Sequence, residues 1–454
     1  MVYSVGERPI NLAFVGDVLL TRRASVFREP DYLALMEILR GADGAFANLE
    51  TNIRHWNEGA PAAGGLGTFM TTPPALLDDI RWMGFNLLSC ANNHASDFGE
   101  GGVLATIRHL DDARFVHAGT GANLTEARAP AYLDTEAGRI ALIAATAALR
   151  TGTHAGAQRG DMQGRPGTNP LRFEKTHVVD QRGFDDLKRI AAGLGYEKEA
   201  RRSKQYYGSK DQVAEESEAL TLVGTRFERG ESFAVSTKAN AADVEGVVTW
   251  VKEARRQADF VIVSIHYHEM SGARRLTAAT REEIDEPAEF VPQFARAVID
   301  AGADVVAGHG PHYPLGIEIY RGKPILYSLG NFFFQTETVE RLPEDSYNRL
   351  GLPATATPAD FVDIRTDNGT RGHFGHLAYW ESIAVSVGMD RGGLRKLIVH
   401  PVELGRGAER AQRGRPILAR GETAARILQR LKLMSERSGT DLSVENDCGL
   451  LMLG

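Results

Sequence analysis

Cysteine is almost missing from this chain. Cys90 and Cys448 are the only two in 454 residues, and they lie far apart in sequence. That argues against a disulfide framework, although it does not name a compartment. An excess of positive charge is missing too. Lys and Arg number 52 against 59 Asp and Glu, a formal net charge of −7, so nothing asks for nucleic acid or an anionic membrane. No stretch approaches the roughly 20 apolar residues of a membrane helix. The first apolar run, in "MVYSVGERPINLAFVGDVLL", is short and passes straight into Gly16-Asp17. It reads as a strand, without the basic start, apolar centre and cleavage site of a secretory signal. The expectation is a cytoplasmic protein with no membrane anchor. There is no internal repeat and no low-complexity tract.

What is present is a soluble, globular composition, 43% hydrophobic and 24% charged. Strand and helix patterns alternate. "INLAFVGD", "ADGAFANLE", "NLLSCANNH", "GRIALIAATAAL", "ADFVIVSIHYHE" and "DVVAGHGPH" are short apolar runs of the buried-strand kind. "DYLALMEILR" and "PALLDDIRWMGF" have helical period, and "GEGGVLATIRHL" puts Val103, Leu104, Ile107 and Leu110 on one helical face. "LGIEIYRG" and "KPILYSLGNFFF" read as paired strands. The "WESIAVSVGMDRGGLRKLIVHPVEL" stretch reads as a hairpin turning at Gly392-Gly393. Two segments break the alternation. Residues 150–241 are polar and poor in strand signals, which predicts an insertion of loops with one or two helices, a lid or substrate-recognition region. Residues 335–375 predict a second, loop-rich insertion. A helix over 420–436 follows, and the whole is expected to be one domain.

Polar residues collect where the strands end. Asp17 closes the first; Asn48 and Glu50 the second; Asn92, Asn93 and His94 the third. His266, His268 and Glu269 close a later one, and His309 and His312 the next. Ligands bind at that edge of open α/β sheets, where a rigid strand hands over to a loop. Carboxylates supply anionic oxygens, and neutral imidazoles suit Zn, Cu, Fe or Ni. Each feature also has a plain structural reading. Asp17 could cap a helix, Asn48 and Glu50 could make a turn, and "NNH" could cap the next helix. His266 and His268, two apart on a strand, share a face and could simply pack. His309 and His312 could be turn residues between Gly308, Gly310 and Pro311. Their joint placement at five successive strand ends favours a site. Cys90 reads as a buried thiol. His154, His177, His373 and His376 lie in loop-like sequence, and one of them could reach the cleft.

Six blocks, "FVGDVLLTR", "ANLETNI", "CANNHASDFGEGGVLATIRHLD", "HAGTGANLTEARAP", "VIVSIHYHE" and "GADVVAGHGPHYPLGIEIYRGKPILYSLGNFFF", resemble the poly-γ-glutamate capsule-synthesis (CapA) family. That family is similar to calcineurin-like metallophosphoesterases. The resemblance covers about 12–150 and 258–335. It implies a calcineurin-like four-layer α/β fold, two packed mixed β-sheets flanked by helices, with insertions. It also implies roles. Asp17 resembles the first metal-ligand aspartate, Glu50 the bridging carboxylate with Asn48 beside it, and Asn93 the metal-binding amide. His94 resembles the catalytic histidine, His266 the histidine of the fourth motif, and His309 and His312 the final pair. Departures accompany these. Leu19 stands where the phosphoesterases carry a histidine, and Glu50 replaces an aspartate. Two residues rather than one separate the last histidines, and Tyr267-His268 stands where Trp-Gly is frequent in the family.

Three functions follow as expectations. The first is a metal-dependent hydrolase of an amide, peptide (γ-glutamyl-like) or phosphoester bond. It would use a divalent metal (Mn, Zn, Fe or Mg), as one or two ions. The ligands would come from Asp17, Glu50, Asn93, His266, His309 and His312, with His94 as general acid. The second keeps the cleft without a metal. Asp17, Glu50, His94 and His309 then form an acid/base array for proton transfer at carbon, as in a peptide or amino-acid epimerase. The third is a non-catalytic component of polymer synthesis. The substrate is expected to be a small molecule or peptide, anionic in character, contacted by Asn48, His268 and Arg165. Arg165 belongs to a Gly/Pro-rich stretch with Arg159 and Arg172, and arginine forks suit carboxylates and phosphates. "EARRSKQYYGSKDQVAEESEAL" reads as a solvent-facing helical lid or a homo-oligomer contact.

Overall fold

A computed structural model describes residues 9–63, 67–208, 218–271, 286–390 and 392–452. Residues 1–8, whose sequence bears on a leader, lie outside the described residues, as do 209–217 of the helical-lid stretch and 391 of the hairpin turn. The chain divides into two compact units. One comprises Met1–Leu171, Ala242–His268 and Ala295–Gly454, the other Arg172–Ala241 and Glu269–Phe294.

The first unit is built on two mixed sheets. In chain order its main strands are β1 (Ile10–Leu19), β2 (Gly44–Leu49), β3 (Leu87–Ser89), β4 (Val116–Ala118), β5 (Gly138–Thr146), β6 (Phe260–His266), β7 (Val305–His309), β8 (Lys323–Leu326), β9 (Asn331–Phe334), β10 (Glu381–Asp390) and β11 (Gly393–Glu403). The larger sheet runs β11-β10-β1-β2-β3-β4, with β9 also beside β1. Strands β2, β3 and β4 run parallel to β1, and β10 antiparallel. The smaller sheet runs β8-β7-β6-β5, all parallel, with an antiparallel strand at either edge. Connections between parallel neighbours require helices, and α1 (Pro30–Arg40), α2 (Leu77–Met83) and α3 (Gly99–Asp112) supply three.

Alternation along β1 explains its packing. Side chains of a strand point to opposite faces in turn. Leu12 and Phe14 join Phe46, Leu142, Ile262 and Val305 in the core between the two sheets. Ala13 and Val15 join Leu35, Met36, Leu39, Ile80 and Met83 of α1 and α2 on the other face. A strand buried on both sides cannot show polar alternation, hence its unbroken apolar run. Two mixed sheets flanked by helices result, as the resemblance implies. Among the described residues no helix is long and apolar enough to cross a membrane.

Three expectations need correction. The second unit is not a set of loops and helices. Besides helices Gln181–Gly193 and Tyr196–Tyr207 it holds a four-stranded sheet of Phe173–Val179, Ala219–Leu222, Thr225–Arg229 and Ala234–Ala239. These strands are short, and much of their surface is half-buried or exposed, so they carry few apolar residues; the small core is Val179, Phe184 and Leu220. The 335–375 stretch, expected to be rich in loops, carries two short helices between its loops, Glu344–Arg349 and Pro358–Thr366, which needs no correction. On α3 the buried face is Gly102, Val103, Ala105, Thr106 and Leu110, while Leu104 is exposed. "KPILYSLGNFFF" is two strands in two sheets: β8 pairs with β7, then the chain crosses to lay β9 against β1.

That crossing requires glycine. The Asp17 N–H donates to the Gly330 carbonyl at 2.9 Å, and a Cβ on Gly16 would lie 1.8 Å from that same oxygen. Backbone cannot step aside as a side-chain tip can. Gly16→Ala is expected to cost at least about 3 kcal/mol, read as a lowered urea midpoint. An unchanged midpoint would contradict the close approach.

Candidate functional site

Parallel pairing lines up the strand ends. Asp17 sits opposite Asn48 and Asn331, and Asn48 opposite Ser89. In the other sheet His266 sits opposite His309. Both strand-end rows are buried and meet each other. Asp17 does not cap a helix; it lies within β1 at an irregularity, where β1 exchanges β10 for β9 as neighbour.

Asp17 is held from several sides. Its Oδ1 accepts from Asn48 Nδ2 at 2.8 Å and lies 3.6 Å from His309 Nδ1. Its Oδ2 accepts from the Gly310 N–H at 3.2 Å and stands 3.2 Å from His312 Nδ1. Gly310 has φ +108° and presses against Tyr267 backbone, so only glycine fits that turn. His312 itself has φ +68°, a strained value for a histidine. Asn331 holds it there, with its Oδ1 2.9 Å from His312 Nδ1 and its Nδ2 donating to the His312 carbonyl. The His266 and His309 Nδ1 atoms are 2.9 Å apart, and His309 Nε2 is 2.7 Å from Ser264 Oγ.

Glu50 is the opposite case. It is fully buried, and neither oxygen accepts a hydrogen bond from a donor among the described residues; its nearest carboxyl neighbour is Asp17. Imidazole nitrogens ring it at the wrong distance for hydrogen bonds: His266 Nε2 at 3.8 Å, and His94 Nε2 and His312 Nδ1 at 3.9 Å. Asn93 Oδ1 is buried and unpartnered as well. Buried acceptors of this kind cost free energy unless something fills the gap.

The charges separate accordingly. Burial, then the neighbouring Asp17 charge, pushes the Glu50 carboxyl well above the usual carboxylate range. Burial also acts on Asp17, but the His312 hydrogen bond and the His312 and His309 charges outweigh it and hold Asp17 low. Burial lowers His266 well below its ordinary value, with His268 and His309 adding to the effect, and brings His309 down to about 4. Both imidazoles are therefore neutral near pH 7, the form that ligates metals.

His94 follows β3 and faces this cluster. Its Nδ1 is 2.6 Å from Asp97 Oδ2, which also accepts from the Met70 N–H, while Arg150 pairs with Asp97 Oδ1 at 2.8 Å. Its Nε2 is left towards Glu50. Asn92 caps no helix; its amide bridges Asn48 Oδ1 and the Leu49 carbonyl, tying β3's end to β2's.

The structure thus brings together Asp17, Asn48, Glu50, His94, His266, His309 and His312. His268 joins them, with Nε2 3.2 Å from His266 Nε2 and its ring 5.9 Å from that of His312. Two sets of ligand-type atoms lie close enough to hold a metal ion: Asp17, His266 and His309, and Glu50, His268 and His312. An imidazole thus faces Glu50 although Leu19 is sealed in apolar core. Arg165 is not among these residues; its guanidinium bonds the carbonyl and ring of His154 within its own loop. Cys90 is buried, its thiol pushed up to about 12 by burial. Of the other histidines, His373 lies against His312, ring to ring at 5.4 Å, and stacks on Tyr379, whereas His177 belongs to the second unit's sheet. The sequence reading passed over Asp97, Arg150, Ser264 and Asn331. Only Asp97, three residues after His94 in "NNHASD", carried a local signal.

Burial and Asp17 raise the Glu50 pKa, and below it a metal must displace the carboxyl proton, so metal affinity is expected to rise with pH up to that pKa. Below the raised Glu50 pKa the slope is about tenfold per pH unit. Mn²⁺ titrations at pH 6, 7 and 8 check this, and a flat response would show Glu50 already ionised.

A family model for the bacterial capsule synthesis protein PGA_cap matches residues 11–336. The chain is similar to y4sH, an uncharacterized protein of Sinorhizobium fredii, at 34% identity over 449 residues, 97% of this chain and 92% of that one. It is similar to the PGA biosynthesis protein CapA of Bacillus subtilis at 23% over 340 residues, 73% of this chain and 65% of the relative. With the capsule biosynthesis protein CapA of Bacillus anthracis it shares 22% over 256 residues, 56% and 41% of the two lengths. The matched region takes in every strand end just described, from Asp17 to Asn331, and the chain belongs to the PGA_cap family of bacterial capsule synthesis proteins.

Proposed function

We propose that this protein is a metal-dependent hydrolase of an amide, peptide or phosphoester bond, working at the Asp17–Glu50–histidine cluster. The observation that carries this reading is Glu50, a fully buried carboxylate with two unpartnered oxygens among imidazoles 3.8–3.9 Å away. Bonds of about 2.0–2.2 Å to a shared ion place two ligand atoms about 3–4 Å apart. A divalent cation therefore fits the gap, and the oxygen and neutral-nitrogen donors suit Mn, Fe or Zn. Asp17, His266 and His309 would hold one ion, and Glu50, His268 and His312 with the Asn93 amide oxygen a second. When bound, such an ion supplies a Lewis acid that polarises the scissile bond and acidifies water.

The chain's own residues do the rest. Asn48, Asn331 and Ser264 orient the acidic and imidazole groups, which is how outer hydrogen bonds tune such sites. His94, its Nδ1 held by Asp97, presents Nε2 to give a proton to the leaving group. A cavity of about 390 Å³ opens beside the same strand-end segments, walled by Arg54, Trp56, Phe98 and Arg341. The Arg341 guanidinium, beside the Trp56 ring, suits a carboxylate-bearing substrate. Relatives named for PGA and capsule biosynthesis make a glutamyl amide the first class to try.

The test joins metal content to turnover. Protein purified without added metal is assayed by elemental analysis and with γ-glutamyl-p-nitroanilide and bis-p-nitrophenyl phosphate. Chelation should abolish turnover and Mn²⁺ or Zn²⁺ restore it; full turnover at zero metal would overturn the proposal. One observation favours the metal-free reading: a protonated Glu50 beside an ionised Asp17 is an acid and base with separated pKa values. Its signature is deuterium uptake from solvent at a substrate carbon without bond cleavage.

A further inference from the structure

A second group of ligand-type side chains lies away from the buried cluster. His55 follows the Glu50 segment, Glu58 closes the same loop, and His109 stands on the last turn of α3. Their ligand atoms all lie within 4.8 Å of one another. His109 Nε2 is 2.8 Å from Glu58 Oε2, and the His55 ring crosses the His109 ring edge-on at 5.2 Å.

We propose that His55, Glu58 and His109 form a separate, surface transition-metal site that staples the 54–59 loop to α3. Two imidazoles and one carboxylate, with room for water, make a set suited to Zn, Ni or Cu and a poor one for Mg or Ca. Tetrahedral zinc with bonds of about 2.0–2.1 Å needs its ligand atoms about 3.3 Å apart. The His109–Glu58 pair must open by about half an ångström, and exposed His55 need only turn its ring.

Two features prepare the carboxylate. Arg108 pairs with its other oxygen, Oε1, leaving Oε2 to the histidines. The His55 N–H also donates to Glu58 Oε2 at 2.8 Å, fixing the carboxylate beside the two rings. Among the described residues the His55 ring has no hydrogen-bond partner to give up. The loop is also already shaped, since Arg54 donates to the carbonyls of Trp56 and Glu58. Arg54, His55 and Trp56 wall the 390 Å³ cavity, so an ion here would stiffen that wall.

Zinc binding to untagged full-length protein decides the matter. Equilibrium dialysis with elemental analysis should find one zinc equivalent in the wild type that His55→Ala and His109→Ala each weaken by about tenfold or more. Glu50→Gln should retain it. The zinc-dependent rise in Tm should shrink in both histidine variants, while zinc-free His55→Ala melts as the wild type does. Equal zinc stoichiometry in the wild type and both histidine variants, or loss of this equivalent in Glu50→Gln, would overturn the proposal.

Discussion

His94→Ala is expected to lower kcat by about 10²–10⁴-fold without changing Tm or the metal content of the buried cluster. His94 is only slightly exposed, and its neighbours show a side chain built to point one way. Asp97 takes Nδ1 at 2.6 Å, the Met70 N–H and Arg150 fix Asp97, and Nε2 is left 3.9 Å from Glu50 Oε1. A proton donor matters in proportion to how poor the leaving group is. The loss should therefore be large for a γ-glutamyl alkylamide and small for γ-glutamyl-p-nitroanilide, whose departing amine is weakly basic. Equal losses for the two would remove the acid role and leave His94 a binding residue. Asp97→Asn should reproduce the leaving-group dependence in weaker form, since it disturbs orientation alone.

Glu50→Gln carries the other large effect. It keeps the volume and removes the charge. Metal affinity is expected to fall about 100-fold or more, beyond what losing an outer hydrogen bond costs. The stability of the metal-free protein should move the other way. A buried carboxylate is costly, and in this fold burial and Asp17 already favour its neutral form. A neutral amide in its place should leave the metal-free Tm equal or higher, while the metal-induced rise in Tm largely disappears. Unchanged affinity would show that Glu50 holds no ion. A sharply lower metal-free Tm would show that the carboxylate has partners the orphaned oxygens do not suggest.

Much of this site was legible as local pattern. "FVGD", "ANLE", "CANNH", "VSIHYH" and "GHGPH" are each an apolar run that fills a buried strand and then stops at donors or acids. That change in character needs no tertiary information, because a strand buried on both faces must be apolar and its end need not be. The turn in "GHGPH" was legible for the same reason, since Gly310 occupies a backbone angle that other residues rarely take. The second unit's sheet was illegible because its strands are largely half-buried or exposed and need few apolar residues. Leu104 misled because helical period marks several apolar positions without saying which of them is covered.

Sequence alone placed Glu50, Asn93, His94, His266, His309 and His312 at or just beyond strand ends; Asp17, expected there too, lies inside β1, which runs on to Leu19. Tertiary structure alone decided how they group. His266 meets His309 because β6 and β7 are neighbours, and His312 meets Asp17 because the chain crosses from one sheet to the other before β9. His268 faces Glu50 and His373 reaches His312 for reasons no spacing encodes. Strand order is set by which faces can be buried against which, a property of the whole chain. Until that order exists, five strand ends are a set of ligands without a site.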